Sequence, residues 1–144
     1  MSARLDAAAI AAMVPHAGSM SLWDEVLDWS DERIALRAWR HRDPVHPLRA
    51  GGRLHAVHLC EYGAQAMAVH GGLRASAAGG VARAGLLVGL RAVELHVERI
   101  DDLPGDLECE AELLMESAAG WQYRFTLRHA GIVIASGEST VMPT

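Results

Sequence analysis

The chain has 144 residues, 51% of them hydrophobic, which is enough for one buried core and too short for two comfortable domains, so a single domain over residues 1–144 is expected. Its formal charge is −5, and no apolar run approaches the roughly 20 residues that a membrane-crossing helix needs. An acidic chain without a basic stripe interleaved with aromatics is not built for nucleic acid, so neither nucleic-acid binding nor membrane insertion is expected.

Ala3 to Val14 has helical composition and ends before Pro15. The stretch carries Asp6 and runs into Pro15-His16 instead of a cleavage-type sequence, which points to a cytoplasmic protein. Ser21–Trp29 and Glu32–Trp39 alternate in part between apolar and polar residues and predict two strands separated by Ser30-Asp31. His41–Arg53 contains two prolines and Gly51-Gly52 and reads as an irregular loop. A long apolar helix is predicted over Leu54–His70, stopped by Gly71-Gly72, with His70 favoured by the negative end of the helix dipole. Ser76–Gly85 is a Gly/Ala-rich connection.

From there the period becomes two. Val93, Leu95 and Val97 alternate with Glu94, His96 and Glu98, and Leu107, Cys109, Ala111 and Leu113 alternate with Glu108, Glu110 and Glu112. Trp121, Tyr123, Phe125 and Leu127 repeat the pattern, and Ile132–Val141 supplies a last strand after Ala130-Gly131. Leu103-Pro-Gly-Asp106 and Ala118-Ala-Gly120 are short enough to be hairpin turns. The result is an α+β chain, one antiparallel sheet with one apolar helix to wrap.

Glu61 is the only carboxylate between Asp43 and Glu94, and it lies inside the apolar helix. Such a group is paired, shifted in pKa or used in chemistry. Gln65 falls one helical turn later, where it can hydrogen-bond Glu61 and hold its rotamer, and Tyr62 is a packing and orienting residue. His55-x-x-His58-x-x-Glu61 imitates a metal set, but a step of three drifts around the helix and zinc helices favour a step of four, so no metal is expected. Cys60 and Cys109 follow no disulfide or metal spacing and read as small buried hydrophobes.

All 13 basic residues are Arg. Residues 40–91 carry seven of them (Arg40, Arg42, Arg49, Arg53, Arg74, Arg83 and Arg91) against two acids, so this zone is basic within an acidic chain. Arg49 and Arg53, flanking the Glu61 helix, are candidates for docking an acidic or phosphorylated partner.

Pro15-His-Ala-Gly-Ser-Met-Ser-Leu-Trp-Asp-Glu-Val-Leu27 resembles the N-terminal Pro-His element and following first strand of the beta-hydroxyacyl-ACP dehydratases, and Glu61-Tyr-Gly-Ala-Gln-Ala66 is similar to the Glu-x-x-Ala-Gln-Ala run on their central helix. With His-Pro-Leu-Arg49 and Met67-Ala-Val-His-Gly71, the chain looks closest to the divergent dehydratase-like proteins of aryl polyene biosynthesis. The resemblance implies a hot-dog fold, a curled sheet around one central helix. It also implies dehydration of a 3-hydroxyacyl thioester on an acyl carrier protein, with no cofactor beyond the phosphopantetheine that carries the substrate. Glu61 matches the family's helix carboxylate. A backbone amide near the start of the helix polarises the thioester carbonyl in the family, and Gly52 is the nearest candidate for the small loop residue. The family's His-Phe-Pro-Gly loop is absent, which leaves His46 as the expected loop base, with His41 and His16 as alternatives and His16 otherwise a substrate contact. Partners implied are an acyl carrier protein and a second hot-dog chain, as homodimer or heterodimer. A non-catalytic subunit and an acyl thioesterase remain alternatives on the same scaffold.

Overall fold

The computed structural model describes residues 4–12, 21–80 and 85–143. His16 and the rest of the Pro-His element lie outside the described residues, as does Arg83. The elements are β1 (Leu5–Asp6), α1 (Ala7–Ala11), β2 (Glu25–Trp29), β3 (Arg33–Ala38), α2 (Leu59–Ala77), β4 (Gly85–Leu95), β5 (Leu107–Ser117), β6 (Gly120–His129) and β7 (Ile132–Pro143). The described strands form one antiparallel sheet in the order β1-β2-β3-β5-β6-β7-β4, curled around α2 in the hot-dog arrangement.

The first helix is shorter than its composition predicts, because Asp6 ends β1 and caps α1 by accepting the Ala9 amide at 3.0 Å. A 3-10 turn over Ala56–His58 leads into α2. Gly71-Gly72 does not stop α2, contrary to expectation. Leu73 is buried in the core, and Arg74 forms a two-pronged pair with Glu116 of β5, so tertiary contacts carry the helix past two weak formers. The stop comes at Gly79, whose φ of +78° supplies the left-handed residue that closes the helix end. His70 is therefore a mid-helix residue and not a terminal one. It is fully buried, with Nδ1 2.7 Å from the Tyr123 hydroxyl and Nε2 2.7 Å from the Ser30 carbonyl.

Phe125 sets the closest approach of helix to sheet. A Cβ built on Gly63 of α2 would lie 2.8 Å from this ring, and one on Gly137 of β7 would lie 2.7 Å from its tip. Two missing side chains thus leave room for one buried aromatic, which fills the space between the layers at close-packed density.

Ala118–Gly120 does form a hairpin, joining β5 to β6. The turn at Leu103–Asp106 does not, because β4 and β5 occupy distant places in the sheet and residues 96–106 cross between them. Two histidines grip this crossing: His41 Nε2 lies 2.8 Å from the Leu103 carbonyl, and His129 Nε2 bonds the Pro104 carbonyl.

β4 departs most from its pattern. Alternation predicts one covered face, yet it pairs only with β7 and its described side chains are exposed on both faces, with Leu87, Val88, Leu90, Val93 and Leu95 between 37% and 48% accessible. Along α2, Cys60, Glu61, Ala64, Ala68 and Gly71 form a half-buried stripe that the sheet does not cover.

Candidate functional site

The segment Ser21–Asp24 was expected to be strand, but it is irregular and buried, and its residues reach the helix and the 40s loop one after another. The Leu22 amide donates to Gln65 Oε1 at 2.8 Å, and the Trp23 indole donates to the Tyr62 carbonyl at 2.8 Å. Asp24 accepts the Trp39 amide at 2.8 Å and the Arg40 Nε. Gln65 is 1% exposed, and because its oxygen is taken by a backbone amide its nitrogen must face the other way. That nitrogen donates to Glu61 Oε1 at 3.1 Å. Glu61 is thereby held half-buried in the first turn of α2.

His46 sits on the neighbouring side of the helix. Its ring is 7% exposed, stacks on Tyr62 at a centroid distance of 6.2 Å, and places Nε2 3.1 Å from the Tyr62 hydroxyl. The Leu48 amide donates to Nδ1 at 3.2 Å. A nitrogen that accepts an N–H carries no proton, so the neutral ring holds its proton on Nε2 and donates it to Tyr62. Burial, followed by the charges of Arg40 and Arg49, lowers the His46 pKa to about 4. Burial raises that of the Tyr62 phenol. The site therefore presents a neutral imidazole and a protonated phenol at neutral pH.

The loop residues sort differently from expectation. Arg49, a candidate docking cation, is turned inward: its side chain is 15% exposed, Nη1 donates to the Gly52 carbonyl at 2.8 Å and Nη2 to the Arg42 carbonyl at 2.9 Å. It holds the loop together, because a guanidinium bridging two carbonyls is a cross-brace. Arg53 is exposed, and Gly52 lies at the exposed tip of the Ala50–Arg53 turn. His41, a third candidate base, is fully buried with Nε2 bound to Leu103, and burial lowers its pKa. His55 accepts the Val57 amide and starts the 3-10 turn. Among the described residues no three His, Cys, Asp or Glu side chains gather as a metal set.

Sequence reasoning brought Glu61, Tyr62, Gln65 and His46 to one region, and the structure pairs Gln65 with Glu61 and His46 with Tyr62 by hydrogen bonds. It missed Leu22, Trp23, Asp24 and Arg40. The available signal was Asp24, an acid following the bulky apolar pair Leu22-Trp23, whose partner Arg40 lies across the β2–β3 hairpin.

Comparison with known proteins agrees with this architecture. The chain is similar in fold to the dehydratase heterocomplex ApeI:P from Xenorhabdus doucetiae, with a TM-score of 0.84 and 23% identity over 94% of this chain and 90% of that one. It is less similar to AziG from S. sahachiroi, with a TM-score of 0.60 and 15% identity over 86% and 91% of the two chains. A hypothetical thioesterase from Streptococcus pneumoniae TIGR4, solved with coenzyme A, gives 0.60 and 12% over 83% and 84%. No curated protein sequence matches the chain. The family model described as ApeP dehydratase matches residues 8–144, nearly the whole sequence, and with the sheet wrapped around α2 it shows that this chain belongs to the ApeP-like dehydratase family.

Proposed function

We propose that the chain takes part in dehydrating a 3-hydroxyacyl thioester, carried on the phosphopantetheine of an acyl carrier protein, to the trans-2-enoyl thioester. In this elimination the C2–H and C3–O bonds break, the C2–C3 double bond forms and water leaves. Glu61 supplies the proton that departs with the C3 hydroxyl. The observation that carries the reading is the Leu22–Gln65–Glu61 hydrogen-bond chain, which fixes the one carboxylate of the helix through a fully buried amide. Gly52, at the exposed loop tip, is the candidate amide for the thioester carbonyl, and exposed Arg53 is the candidate contact for an acidic carrier protein. Incubating the assembled protein with a 3-hydroxyacyl carrier protein and weighing the product tests the reading: loss of water supports it, whereas free acid would indicate a thioesterase. Glu61→Gln should abolish the loss of water without altering the melting temperature.

His46 is the loop imidazole of this reading, and as base it has to take up the C2 proton on Nε2. That requires the tautomer protonated at Nδ1 and loss of the Leu48 bond. The present tautomer favours a second reading, in which this chain is the carboxylate-bearing or non-catalytic half of a pair of hot-dog chains and the base belongs to the partner. Exposure of β4 on both faces and the half-covered stripe of α2 support such a pairing.

A further inference from the structure

Leu22, Arg40, Asp43, Val45, His46 and Pro47 enclose a cleft of about 80 Å³ beside the His46–Tyr62 pair. Arg40 is fixed in its wall before any ligand arrives. Its Nε donates to Asp24, and its Nη2 donates to the Ser21 carbonyl at 2.7 Å and, more weakly, to that of Trp23 at 3.4 Å. Asp24 is 4% exposed and its second oxygen holds the Trp39 amide, so this carboxylate cannot swing away. Among the described residues the guanidinium's third nitrogen, Nη1, has no protein acceptor. It carries two N–H donors in a group that has already lost its rotational freedom.

We propose that Arg40 Nη1 recognises an amide carbonyl of the pantetheine arm and so fixes the depth at which the thioester stops beside His46 and Glu61. The proposal rests on the thioester reading above and names the contact which that reading lacks. A carbonyl fits better than a phosphate for three reasons. The guanidinium of Arg40 is already paired with the Asp24 carboxylate, which an incoming anion would have to compete with, whereas a carbonyl needs only a free N–H. The Asp43 carboxylate lines the same cleft and repels an anion. Leu22, Val45 and Pro47 offer apolar walls suited to the methylene segments on either side of an amide. Arg40 is thus a rigid donor for a neutral group, whereas exposed Arg53 is a mobile surface charge.

The test uses two unreactive thioether probes of equal length, an S-alkyl pantetheine and an analogue whose amides are replaced by methylenes, titrated by calorimetry into the assembled protein. Arg40→Lys keeps a cation against Asp24 but removes Nη1. It should weaken the pantetheine probe about tenfold, at low and high salt alike, and leave the amide-free probe unchanged. Should Arg40→Lys fail to fold, guanidinium NMR of the unsubstituted protein decides, since the Arg40 Nη signals should move with the pantetheine probe and stay still with the analogue. Equal loss for both probes, no loss, or a loss seen only with phosphopantetheine and abolished by salt would overturn the proposal. Absent dehydration with this probe pattern intact would sink the dehydratase reading alone. Dehydration with an unchanged KM in Arg40→Lys would sink the Arg40 contact alone.

Discussion

His46 Nε2 lies 3.1 Å from the Tyr62 hydroxyl, and the direction of that bond is set from behind by the Leu48 amide on Nδ1. The pair is buried, so neither group can exchange its partner for bulk water. Tyr62→Phe leaves the His46 proton without an acceptor and should lower stability by about 1–3 kcal/mol in urea unfolding. An unchanged midpoint would mean that the ring turns to another acceptor.

Gln65 connects backbone to carboxylate, and a non-polar replacement of similar volume separates its two roles. Gln65→Leu orphans the Leu22 amide and frees the Glu61 rotamer. Stability should fall by about 1–3 kcal/mol, and turnover should fall further than Glu61 occupancy of its helix alone would dictate. Rates that follow the folded fraction would assign Gln65 to the fold only.

Gly63 faces the Phe125 ring at a distance no Cβ tolerates. Gly63→Ala therefore overpacks the helix–sheet contact, and a loss of about 1–3 kcal/mol is expected in spite of the better helix propensity of Ala. Adding Phe125→Leu should make the two changes less than additive, a coupling read from a double-mutant cycle.

Acid should act in two stages. Burial holds His41, His46 and His70 below the usual 6.5 in the folded chain, His46 at about 4, while the unfolded chain titrates near 6.5. The unfolded state takes up protons first, so stability is full above about 6.5 and declines from there toward pH 4. The hydrogen bond from Arg74, then that from Trp121, lowers Glu116 from 4.5 to about 2, and its contribution is lost in that lower window. Melting temperatures across the range should show both declines, with the upper one smaller in His70→Gln. A flat profile between pH 6.5 and 5 would refute the first stage.

Arg53 is exposed and Arg49 is not. Arg53→Ala should weaken carrier-protein binding at low salt and matter little at high salt, because solvated charges are screened over about 10 Å at 0.1 M. Arg49→Ala should instead lower loop stability at every salt concentration, as seen in amide exchange of residues 42–52.

Periodicity made β3, β5, β6, β7 and the central helix legible, because a half-buried strand and a buried helix write their geometry into residue spacing. By contrast, β1 lies inside the stretch expected to be helix, and β4 begins at Gly85, ahead of the alternation that starts at Val93. The end of α2 was not legible, since Leu73 burial and the Arg74–Glu116 pair outweigh Gly71-Gly72. Nor was the crossing at Leu103–Asp106, whose turn residues are those of a hairpin while its fixing groups, His41 and His129, come from elsewhere in the chain. Within the site, Glu61 and Gln65 announce themselves by spacing along one helix. Leu22 and Asp24 act through contacts from a separate segment, which no local pattern encodes.

The bare strand β4 has a consequence for how the protein is supplied. Irregular pairing at Leu87/Gly89 and at Arg91/Glu94, with Ala92 at a φ of 53°, twists this rim so that an arbitrary extended peptide matches it poorly. In the pairing proposed above, a companion with the complementary kinks would seat there, and a copy made in excess would keep its apolar rim wet. Under that pairing, bicistronic expression with the companion chain should raise the recovered yield far above that of the chain produced by itself.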